Sequence, residues 1–130
     1  MSYEPNNNVS YNCRYHVVWC SKYRRPVLTG EVEQRLKELI HGIAADIHVD
    51  IIEMEIKPDF VHLLISVHPQ FGVHRAVKAI KGRTSSVLRK EFPVLSSRIP
   101  TLWTNRYFLA TVGNAPTDDI QRFVADQKNA

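Results

Sequence analysis

The stretch from Ile51 to Val67 constrains the fold more than any other part of the chain. Two short apolar runs rich in β-branched residues flank Lys57-Pro58-Asp59, which predicts two adjacent strands joined by a tight turn. In the second run, period-two alternation places Phe60, His62, Leu64 and Ser66 on one face and Val61, Leu63, Ile65 and Val67 on the other. Such a hairpin belongs at the middle of a sheet, and it carries one imidazole in a row of otherwise apolar or small groups.

The rest of the chain supplies partners for that hairpin. Met1 to Ser10, with Pro5 and three consecutive asparagines, reads as an unstructured lead, and residues 11–130 as a single domain. Tyr11 to Cys20 has the composition of a strand. A loop, Ser21 to Gly30, follows, with Lys22, Arg24 and Arg25 and no acid of its own to offset them. From Glu31 to Ile47 the period becomes helical, with Val32, Leu36, Leu39, Ile40, Ile43 and Ile47 on one stripe. A second helix is predicted from Val73 to Phe92, its apolar positions interleaved with Arg75, Lys78, Lys81, Arg83, Arg89 and Lys90. Pro93 to Asn105 reads as irregular, Tyr107 to Val112 as a fourth strand, and Gly113 to Pro116 as its stop. A last helix starts near Thr117, with Asp118 and Asp119 in its first turn and Ile120, Phe123, Val124 and Gln127 on one face. Strand, helix, strand, strand, helix, strand is the ferredoxin-like βαββαβ order. It predicts an α+β fold, an antiparallel sheet with helices mainly on one face, plus the C-terminal helix.

Composition narrows the function classes without choosing among them. The 130 residues suit one domain with a sizeable core, and the net charge of +4 permits a polyanionic partner without requiring one. Cys13 and Cys20 lie seven positions apart on one predicted strand. That is roughly 23 Å at about 3.3 Å per residue, far beyond the disulfide limit of about 7 Å. Both read as free thiols of a reducing compartment. No apolar run approaches the length of about 20 residues that crosses a bilayer, and the N-terminus lacks a signal-peptide core, so a cytoplasmic protein is expected.

Taken singly, no residue declares a site. A lone histidine on a strand is more often structural than a ligand, Gln127 fits a solvated last turn, Phe123 fits a core, and a basic helix face is usually a solvated surface. The cysteines lack metal spacing, and neither a glycine-rich phosphate loop nor a Gly-x-Ser-x-Gly elbow is present. His16, His41, His48, His68 and His74 form no pair with a recognised metal spacing.

Read together, the motifs resemble the small single-tyrosine, IS200-like transposases of insertion sequences, compact members of the His-hydrophobic-His nuclease class. The resemblance rests on Tyr15-His16-Val17-Val18-Trp19 with Lys22-Tyr23-Arg24-Arg25, on Pro58-Asp59-x-Val61-His62-Leu63-Leu64, and on Lys78-Ala79-Ile80-Lys81-Gly82. It continues through Leu102-Trp103, Tyr107-Phe108, Thr111-Val112-Gly113 and Ile120-Gln121-Arg122-Phe123-Val124-x-x-Gln127. The resemblance implies a divalent metal, Mg or Mn, held by two histidines of the middle motif and the glutamine of the last helix. It implies a tyrosine nucleophile four residues before that glutamine.

Two positions depart from the pattern. Phe60 stands where the first histidine belongs, leaving His62 and Gln127 as the remaining ligands, so metal binding is expected to be weakened or lost. Phe123 stands at the nucleophile's position and has no oxygen with which to form a phosphotyrosine. The resemblance implies a domain that binds single-stranded DNA hairpins at the ends of a mobile element but, as written, cannot cleave them. Lys22, Arg24, Arg25, Arg75, Lys78, Lys81 and Arg83 supply backbone contacts in this reading, and Trp103 or Tyr23 stacks on a splayed base. A homodimer with the last helix exchanged between subunits is implied too. The alternative is a domesticated, non-catalytic DNA-binding regulator. A ferredoxin-like module for a small molecule is a third and poorer reading, because the motif matches fall in the DNA and metal regions.

Overall fold

The computed structural model describes residues 13–97, 99–112 and 117–127. The expected lead, the Gly113 to Pro116 stop and the side chains of Thr117, Asp118 and Asp119 lie outside the described part. The elements run β1 (Arg14–Cys20), α1 (Gly30–Asp46), β2 (Asp50–Lys57), β3 (Phe60–Ser66), α2 (Val73–Glu91), α3 (Val94–Ser97), β4 (Phe108–Thr111) and α4 (Thr117–Asp126). The sheet has strand order β2-β3-β1-β4, and its three pairings are antiparallel, as the ferredoxin-like order predicts. Lys57 pairs with Phe60, so Pro58 and Asp59 alone make the turn.

The hairpin's alternation fixes which face is which. Val61, Leu63 and Ile65 are buried, as are Val17 and Trp19 of β1, and α1 and α2 cover this side with Leu36, Ile40, Ile43, Ala76, Val77, Ile80 and Leu88. Burying each large side chain contributes about 1.5–3 kcal/mol, so this layer accounts for most of the stabilisation. Arg35 near the start of α1 reaches Glu91 at the end of α2, and Asp46 at the end of α1 reaches Arg83 in the middle of α2, so the C-terminal half of α2 is tied to α1 at two places.

Two features were not legible as elements. A 3-10 turn, Lys22–Arg24, interrupts the first loop. The region read as irregular contains α3 and then an antiparallel bridge between Trp103 and Ser21, with Thr104 N–H donating to the Cys20 carbonyl at 3.0 Å. That segment extends β1 beyond its end. Among the described residues, no helix is long and apolar enough to cross a membrane.

Candidate functional site

The other face of the sheet carries Phe60, His62, Leu64 and Ser66 on β3, with His16, Val18 and Cys20 of β1 beside them. His62 pairs with Val18 and His16 with Leu64, so the two imidazoles are diagonal neighbours on one face. His16 Nδ1 lies 3.1 Å from His62 Nε2. Burial, and then His16, lower the pKa of His62, while Glu55 and Glu53 act the other way. His16 was passed over in the sequence because no linear spacing joins it to His62. Only the antiparallel register brings positions 46 apart together.

Part of this face is covered by α4 of the same chain. Phe60, Phe108, Ile120 and Phe123 pack around buried Val18, Cys20 and Val124, and the rings of Phe108 and Phe123 stand 5.8 Å apart. Phe60 and Phe123, the two positions at which the sequence was expected to depart from the family motif, thus lie in one apolar cluster. Gln127, one turn beyond Phe123, is fully buried, and among the described residues neither atom of its amide has a partner.

These residues do not fit the divalent cation that the resemblance implies. Position 60, where the resemblance expects one ligand, holds a benzyl group in an apolar cluster, and His62 meets another imidazole. No group of three His, Cys, Asp or Glu among the described residues is arranged to hold a metal ion.

The expected cations divide into two sets. Arg24 donates to Asp59 at 2.9 Å, so the first loop, read as lacking an offsetting acid, receives one from the hairpin turn. Arg83 is likewise engaged by Asp46 at 2.8 Å. Lys22, Arg25, Arg75 and Lys78 remain exposed or half-exposed, with Lys22 against the ring of Tyr23 and Arg75 against that of Phe71. The aromatic expected at position 103 has a different place. Trp103 is only 6% exposed, donates its indole N–H to the Lys81 carbonyl and Thr84 Oγ1, and meets Trp19 edge-on. It forms the wall of a cleft shared with Lys78, Lys81, Asn105 and Tyr107. Tyr107 Oη is hydrogen-bonded to His74 Nδ1 there.

Lys81 sits half-buried in that cleft, its Nζ donating to the Thr104 carbonyl at 2.7 Å. Burial pushes its ammonium down from the usual 10.5 to about 8, and the Cys20 thiolate opposes the change. The unfolded chain then binds the proton more tightly than the folded one, so Lys81 makes stability rise with pH between about 8 and 10.5. Cys20 acts in the opposite sense. Burial, helped by Asp59, pushes its thiol from 9.0 to about 11, and the contribution falls as pH climbs through that range. The urea midpoint is therefore expected to rise from about pH 8 to 9 and then flatten, and Lys81→Met should abolish the rise. A midpoint that is level or falling between those two values contradicts this assignment.

The open face of this ferredoxin-like sheet thus bears a histidine pair and a docked terminal helix. The chain belongs to the family described as "Transposase IS200 like", whose profile matches residues 9–127. It is 38% identical over 119 residues to the ISDra2 transposase TnpA of Deinococcus radiodurans, covering 90% of this chain and 85% of that protein. It is 29% identical to the transposase of insertion sequence element IS200 from Salmonella typhimurium, covering 90% and 78%. A crystal structure of a Deinococcus radiodurans transposase superposes with a TM-score of 0.88 at 32% identity, over 98% of this chain and all of the other. A REP-associated tyrosine transposase bound to a REP hairpin shares the fold, with a TM-score of 0.60 at 15% identity over 94% of this chain and 68% of the other.

Proposed function

We propose that this IS200-like transposase binds single-stranded hairpin ends of a mobile element and, as written, holds them without cleaving. The observation that carries the reading is the apolar seating of α4: Phe60 and Phe123, which the motif reading assigns to the ligand and nucleophile positions, pack with Val18, Cys20 and Val124. With neither a lone pair at 60 nor an oxygen at 123, the Mg or Mn of the family has a reduced donor set and no phosphotyrosine forms. Recognition persists through Lys22, Arg25, Arg75, Lys78 and Lys81, while Arg24 and Arg83 act mainly within the fold. The relative that was captured on a hairpin supports the choice of ligand. A homodimer, in the cytoplasm where Cys13 and Cys20 stay free, completes the proposal; the exchange of the last helix that the resemblance implies does not match α4 as seated here, on its own chain's sheet.

A selection from random single-stranded hairpins, with duplex DNA as competitor, is expected to enrich a hairpin. Binding of that hairpin should weaken with salt, log K falling by about 0.7 per phosphate neutralised for each unit of log salt. Lys78→Ala should reduce the slope by about 0.7, and Arg83→Ala, whose partner is Asp46, should leave it near that of the parent. A flat plot removes the account of the cationic rim.

The same apolar cluster favours a second reading, a domesticated regulator that retains only DNA binding. Genomic context separates the two: a copy flanked by element ends indicates a transposase, and a single copy without them a regulator.

A further inference from the structure

The 3-10 turn after β1 is held in a conformation its residues do not favour. Tyr23 has φ 58° and ψ 20°, and Arg24 has φ 52°, two consecutive non-glycine residues in the left-handed region. The surroundings over-determine this shape. Buried Ser21 donates its Oγ to the Arg25 carbonyl at 2.6 Å and its N–H to the Asp59 carbonyl at 3.0 Å. Arg24 is tied to the Asp59 carboxylate, and Lys22 N–H donates to the Leu102 carbonyl at 2.8 Å. Strain maintained by so many contacts implies that what the turn displays is useful.

What it displays is a ring. Tyr23 is 47% exposed, with Lys22 Nζ 4.9 Å from its centroid and exposed Arg25 two positions on. Trp103, by contrast, is buried and its N–H is engaged. The turn also borders the open face, because Arg24 lines a cleft with Phe60, Ile120 and Val124. A strand crossing that face passes the turn. Resting on the DNA-binding reading above, we infer that the Tyr23 ring is the stacking platform for an unpaired nucleobase, with Lys22 and Arg25 taking its flanking phosphates. An exposed aromatic beside cations suits this because every base has a π-face and every nucleotide a charge.

The test compares the parent with Tyr23→Gly and Tyr23→Phe on two probes, a short oligothymidine and the same strand without bases. Glycine takes a φ of 58° freely, so Tyr23→Gly removes the ring while relieving the backbone, and its thermal midpoint should be no lower than the parent's. The parent and Tyr23→Phe should prefer the thymidine strand to the abasic one by roughly tenfold. Tyr23→Gly should lose that preference and keep the parent's affinity for the abasic strand. If its midpoint drops, Tyr23→Asn, which also tolerates the left-handed region, takes its place. A preference unchanged in the ring-less variant, or absent from the parent while salt-dependent binding remains, overturns the platform alone. Parent binding to both strands that ignores salt overturns the DNA reading and the platform with it.

Discussion

Phe60→His together with Phe123→Tyr is expected to yield a covalent adduct with single-stranded DNA that survives denaturation and disappears when divalent cations are chelated. Phe123→Tyr alone should yield little. The tyrosine keeps the ring that packs near Phe108 and adds only the missing oxygen, so the helix can stay where it is. The histidine returns a donor two positions before His62 on the same face of β3. Placing an imidazole in the apolar cluster costs about 1–3 kcal/mol when it finds no hydrogen bond. The double variant should therefore be less stable without metal and regain stability when a divalent cation is added. A denaturing gel of protein with the selected hairpin, with and without chelator, reads the adduct. Absence of adduct from a double variant that still binds the hairpin contradicts the assignment of positions 60 and 123. Strong adduct from the single change shows that His62 and Gln127 suffice.

Trp103→Ala should be among the most damaging single substitutions, lowering stability by about 3–5 kcal/mol. The indole is wedged edge-on against Trp19, and its N–H satisfies the Lys81 carbonyl and the Thr84 hydroxyl inside the helix layer. At roughly 3–4 °C per kcal/mol for a domain of this size, the thermal midpoint should fall by about 10 °C or more. Trp103→Phe keeps most of the volume and loses the donor, for a smaller cost of about 1–2 kcal/mol. Were Trp103 a base-stacking platform, alanine would instead weaken DNA binding and leave the midpoint unchanged. Thermal unfolding of the two variants decides between those outcomes.

Much of the fold was readable because it rests on local periodicity. The alternation in Phe60 to Ser66 set both faces of β3, and the stripe Leu36, Ile40, Ile43 set the buried side of α1. Ala76 and Thr84 escaped notice as core residues, since a small residue and a hydroxyl that bonds back to the Ile80 carbonyl carry no apolar signal. The pairing of His16 with His62 and the capture of Arg24 by Asp59 depend on strand register and on the path of a turn. Neither leaves a trace in linear spacing. Trp103 looked available because it falls in a stretch read as irregular, whereas its burial comes from Trp19 and α2. The motif reading singled out positions 60, 62, 123 and 127, but it gave no sign that Phe60 and Phe123 pack into one cluster.

That shared cluster bears on the history open to this chain. Reversion at position 60 alone places a polar ring among Val18, Cys20 and Val124 and gains no nucleophile. Reversion at position 123 alone gains a nucleophile and leaves the ligand set short. Under the proposed assignment a single change at either position lacks what the other supplies, so packing under α4 works as a ratchet.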